Sequence, residues 1–143
     1  MRRSFGSPIL SAAIRLLTPF LMLFAAYVAI HGHTSPGGGF QAGALLGAAL
    51  ILIRLVHGHA SVWGPTRQTL LSLACGGAFA YAGIGMASML AGMTLFDYSA
   101  LPLPGSGGER RGIASLCVEL AVLVTVSSVM TLIFDALSLK PED

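Results

Sequence analysis

The chain alternates between four long apolar stretches and short breaks rich in glycine, proline or charge. A helix rises 1.5 Å per residue and the hydrocarbon core of a bilayer is about 30 Å thick, so a spanning helix needs roughly 20 apolar residues. Runs of that size predict helices over residues 9–30, 40–56, 70–93 and 113–134. The first holds Arg15 and Pro19. Begun after Arg15 it would be too short to span, so Arg15 belongs in its opening turns, with its guanidinium reaching the headgroups. The second is short, extends backwards through glycines, and ends near Arg54. The third carries no charge, and the fourth carries a single acid, Glu119. The breaks at 31–39, 57–67 and 97–112 are dense in turn formers.

Composition strengthens this pattern. Of 143 residues, 55% are hydrophobic and 10% charged, with a mean hydropathy of +0.80. An ordinary soluble domain carries about 25% charged residues, so a water-facing surface cannot be assembled from this chain. The expected fold is all-α: one membrane domain over residues 1–143, a bundle of four transmembrane helices with no soluble domain and no internal repeat. A formal net charge of +2 points to no nucleic-acid partner. Met1-Arg2-Arg3 before an apolar run imitates a signal peptide. The run is long, however, and no small-x-small cleavage site feeds a soluble domain, so it reads as a retained helix. Cys75 and Cys117 fall inside apolar runs and read as small buried residues, neither a disulfide framework nor a metal motif.

Basic residues set the expected orientation, because cytoplasmic loops carry the excess of Lys and Arg. With four crossings, Arg2, Arg3, Arg15, Arg54, Arg67 and Lys140 fall on one side and Arg110 and Arg111, beside Glu109, on the other. Both termini are therefore expected in the cytoplasm.

Few groups are candidates for chemistry. The break between the first two helices reads His31-Gly32-His33-Thr34-Ser35-Pro36-Gly37-Gly38-Gly39-Phe40. Pro36 stops helical continuation, and Gly37, Gly38 and Gly39 permit a tight reversal. Such a segment is either a structural hairpin or the lining of a polar cavity in which His31 and His33 serve a proton or cation. Two histidines at i, i+2 with no third ligand nearby do not make a metal site. The glycine run lacks the Lys-Ser/Thr of a phosphate-binding loop.

In the second helix, Gly39, Gly43 and Gly47 recur every four residues and leave one face bare of side chains, which lets another helix approach closely. Gly83, Ala87 and Ala91 form a weaker face of the same kind on the third. Glu119 is the one acid well inside a helix. It must be hydrogen-bonded, neutralised, or turned toward protein or water, and Ser115 lies one turn away on its face. It reads either as a polar contact fixing helix register or as a group on an ion or proton route. Asp97, Asp135, His57 and His59 lie near helix ends and read as solvated interfacial groups. Arg54 is expected to find a partner in another chain. No catalytic triad, Cys/His pair or paired carboxylates share one depth, so no enzyme site and no cofactor are expected.

The segment from His31 to Gly43, preceded by an apolar helix with a late Pro19 and followed by Leu45-Leu46-Gly47-Ala48-Ala49, resembles the MnhB-type subunit of the Mrp-type (Mnh) multisubunit sodium/proton antiporters. The resemblance covers about residues 14–134, and the histidine-proline-triglycine-phenylalanine order is its most specific part. Ala42-Gly43 stands where many members carry two glycines, and Glu119-Leu120-Ala121 where many carry acid-apolar-glycine. The resemblance implies a four-helix accessory subunit, without cofactor, in a bacterial plasma membrane complex that exchanges sodium for protons. Its implied partners are the other antiporter subunits, lipid, sodium and protons. Related subunits occur in the membrane arms of energy-converting hydrogenases and other complex I-like redox complexes, which form the alternative. A self-contained homo-oligomeric channel would need a polar stripe repeated on several helices, and the sequence has none.

Overall fold

The structure, a computed structural model, describes residues 8–32, 38–57, 64–98, 104 and 106–138. It contains four helices: α1 (Pro8–His31), α2 (Gly39–His57), α3 (Arg67–Leu90) and α4 (Gly107–Ser138), each long and apolar enough to cross a membrane. Arg2, Arg3, His33, Pro36, Gly37, His59 and Lys140 lie outside the described residues.

Local chemistry explains where the helices begin and end. Pro8 opens α1, where its missing N–H would have had no partner in any case. Pro19 removes a donor inside the same helix, and with it the normal partner of the Arg15 carbonyl. Thr66 caps α3, its extended backbone letting Oγ1 accept from the Thr69 amide at 3.2 Å. The helix stops at Leu90, short of the predicted Met93, because Gly92 turns left-handed at φ 79° and its amide donates back to Met89. α4 begins at Gly107, six residues before the apolar run predicts. There the Ser106 amide and hydroxyl both donate to Glu109 Oε2, at 2.7 and 3.0 Å, and this polar cap starts the helix ahead of its hydrophobic stretch.

α4 is the centre of the bundle. It packs against α2 on one side and α3 on the other, and α1 packs mainly on α2. The interior is built mostly from small residues, among them Ala25, Ala29, Ala42, Ala49, Ala74, Ala114 and Ala121, with Ser88, Ser128 and Thr131 fully enclosed; Leu70, Ile14, Ile53 and Val56 are the larger apolar side chains inside. Most large apolar side chains point outward, including Leu90 at 87% exposure, Phe79 at 78% and Leu23 at 70%. That is the reverse of a water-soluble core. In lipid, apolar burial does not favour helix over acyl chain, so helices associate through close backbone approach and buried hydroxyls.

Cys75 and Cys117 correct the expectation of small buried residues, since both are exposed on the bundle surface. On α3 the glycines that meet a neighbour are Gly77 and Gly85. Around Gly83 a side chain would meet open space. Gly77 lies against Ala121 and Thr125 of α4. Gly85 receives the ring of Phe96, and a Cβ there would lie 2.8 Å from Phe96 Cζ. Phe96 holds a left-handed backbone at φ 61°, a costly conformation for an aromatic residue, and its ring packs between Tyr81 and Tyr98.

Candidate functional site

The seam between α2 and α4 gathers the buried ionisable groups. Gly39, Gly43 and Gly47 all face α4. A side chain on Gly39 would run into the backbone of Glu119. One on Gly43 would come 2.8 Å from the Leu123 carbonyl and 2.9 Å from Val126 Cβ, and at Gly47 the nearest atom is Met130 Cβ at 3.3 Å. The glycines therefore bring the two backbones together most tightly beside Glu119, and the contact eases toward the other end.

Glu119 sits at this closest approach. Its Oε1 accepts from the Ser115 hydroxyl at 3.4 Å. Its Oε2 is enclosed and has no hydrogen-bond partner among the described residues. That oxygen faces the connection between α1 and α2, where a side chain on Gly32 would overlap it and one on Gly38 would reach to 4.0 Å. Gly38 adopts φ 136°, a backbone that L side chains rarely take. The bare backbone of the hairpin is thus what makes room for the acid. His31, at the end of α1, is tied to its own helix, its ring stacked on Tyr27 at 4.2 Å between centroids and its Nδ1 donating to the Tyr27 carbonyl at 3.1 Å. Tyr98 stands at the same end of the bundle. Burial, then the neighbouring Tyr81 and Glu119, push its hydroxyl above the ordinary tyrosine value.

The other end of the seam overturns two expectations. Arg54 finds its partner in its own chain, and Asp135 is no solvated interfacial group. Arg54 Nη1 donates to Asp135 Oδ2 at 2.7 Å, with each side chain only 5% exposed. Nη2 of Arg54 donates to the Pro65 carbonyl, so the pair also fixes the entry to α3. Both residues occupy ends of apolar runs, where a charge is ordinarily read as snorkelling. The missed signal is the pairing itself: one cation closes α2, one anion closes α4, and parallel packing of those two helices brings their closing ends together.

Sixteen residues of helix separate Glu119 from Asp135, about 24 Å along α4. Between them the seam holds Ser127 and Thr131, whose hydroxyls donate to the Val124 and Ser127 carbonyls at 3.2 and 2.7 Å. The seam thus carries one acid toward the hairpin end, a neutralised ion pair toward the opposite end, and hydroxyls bound to their own helix between the two.

A family model described as a domain related to the MnhB subunit of Na+/H+ antiporter matches residues 9–132. The chain is 28% identical over 131 residues to the B-type subunit of the Na(+)/H(+) antiporter of Bacillus subtilis, a match covering 87% of this chain and 89% of that protein. It is 31% identical over 96 residues to an uncharacterised protein of Methanocaldococcus jannaschii, covering 66% of this chain but only 37% of that longer protein. No solved structure matches the chain.

Proposed function

The chain belongs to the family of domains related to the MnhB subunit of Na+/H+ antiporters, and we propose on that basis that it is an accessory membrane subunit of a multisubunit sodium/proton antiporter. The observation that carries the reading is the family match, which spans all four helices of the bundle nearly from end to end. The named bacterial relative is itself an antiporter subunit, which favours this reading over a hydrogenase-type assembly.

The structure supports an accessory role in two ways. Among the described residues, the ionisable groups of the seam, Glu119 and the Arg54–Asp135 pair about 24 Å away along α4, are too few and too far apart to form a complete transmembrane relay by themselves. Its large apolar side chains face outward on every helix, so they require lipid or neighbouring subunits as solvent. Other antiporter subunits are the proposed partners, in a bacterial plasma membrane with both termini in the cytoplasm. Glu119 is the proposed point of contact with a proton or cation, because one of its oxygens is enclosed yet unbonded among the described residues.

Deleting this chain while retaining the other subunits tests the proposal. Sodium tolerance of the cells and sodium/proton exchange in everted vesicles should both be lost, and full exchange without the chain would sink the reading.

A further inference from the structure

The two arginines within the apolar runs, Arg15 and Arg54, are treated differently. Arg54 has a buried carboxylate, whereas Arg15 has no carboxylate partner among the described residues. Arg15 lies seven residues into α1, about 10 Å from the helix start. A cation at that depth is costly unless an anion meets it.

Arg15 borders a groove of about 370 Å³ between α1 and α2. The rest of its wall is mostly apolar, with Ile14, Pro19 and Met22 from α1 and Ile53 from α2. His57, the last residue of α2, lines the same groove, so the basic groups stand where α2 ends and α1 is still completing its early turns. The His57 Nδ1 is engaged with the Ile53 carbonyl at 3.3 Å. That leaves Nε2 as an acceptor for a headgroup hydroxyl or, when protonated, a donor to phosphate. The neighbouring positions on α1, Leu16 at 65% exposure and Phe20 at 62%, belong to the outward apolar surface.

We propose that this groove holds one anionic phospholipid. An acyl chain lies along Pro19, Met22 and Ile53, and the phosphate sits at Arg15 with His57 beside it. The charge complementarity is specific: an apolar bed alone accepts any lipid chain, whereas an uncompensated guanidinium at its basic end selects a headgroup with net negative charge. The proposal is independent of the transport reading, since it concerns the lipid face of the bundle and not the α2–α4 seam.

The test uses the intact complex in phosphatidylcholine vesicles containing a small fraction of phosphatidylglycerol with a photoactivatable group in its acyl chain. After illumination and digestion, label should appear on the peptides carrying residues 14–22 and 53–57. Unlabelled phosphatidylglycerol should compete for it and added phosphatidylcholine should not. Arg15→Gln should lower labelling about fivefold, the fold-change expected from one basic residue near an anionic surface. Arg67→Gln, a cation at the same end but outside the groove, should leave it unchanged. Equal competition by phosphatidylcholine would overturn the proposal, as would undiminished labelling of Arg15→Gln or an unlabelled groove because a partner helix fills it. The competition arm needs only the wild-type complex, so a variant that fails to assemble does not remove the test.

Discussion

Removing one partner of the Arg54–Asp135 pair leaves the other charge enclosed with nothing to balance it. Asp135→Ala should therefore destabilise the bundle by about 3–5 kcal/mol, seen as a lower melting temperature of the detergent-solubilised complex and a lower level of the chain in membranes. The double replacement Arg54→Met with Asp135→Leu removes both charges and should recover most of that loss. A single Asp135→Ala chain as stable as wild type would mean that the pair is solvated in the assembled complex. Glu119→Gln makes a different demand. The amide keeps the shape and can still accept from Ser115, so assembly should persist while exchange falls if the carboxylate handles a proton or cation. Unaltered exchange would leave Glu119 a packing residue. Glu119 stood out in the sequence because it interrupts an apolar run with a charge. Asp135 was not, because it sits where the run ends, and a charge at a helix end has an inexpensive solvated alternative that only the packing of α2 on α4 removes.

At the level of helices, the four-residue glycine spacing on α2 was readable as a bare face, and α4 is the element that covers it. Gly43→Leu should force that crossing apart, at a cost of about 1–3 kcal/mol or more, read as reduced recovery of the complex from detergent. Gly76→Leu provides the contrast, since a side chain there meets nothing within the bundle. Full recovery with Gly43→Leu would show that α2 and α4 do not need to approach closely. Spacing alone was less informative on α3. Gly83 fits a small-residue pattern but faces open space, while Gly77 and Gly85 are filled by α4 and by the Phe96 ring. A period locates a face, but which face is covered depends on where the neighbouring helices lie. The start of α4 was misplaced for a related reason: hydropathy follows the apolar run, whereas the helix follows its cap at Ser106 and Glu109.

Across the whole molecule, small side chains inside and large apolar ones outside require a surrounding phase that is not water. Arg15, Arg54 and Arg67 belong to the end where α1 and α3 begin and α2 finishes, so a reporter enzyme fused after the last helix should be active only when it is a cytoplasmic type. Activity of a periplasmic reporter at that position would invert the topology. The length of α4 carries one more consequence. Its 32 residues span about 48 Å, well beyond the thickness of a hydrocarbon core, and a side chain added at glycines 107, 108 or 112 would meet nothing within 4 Å. At these three glycines the opening turns of this helix therefore present a side that points away from the rest of the described bundle, like the open flank of a mast, offering an external handle where an epitope or fluorophore can be mounted without disturbing anything the lipid encloses.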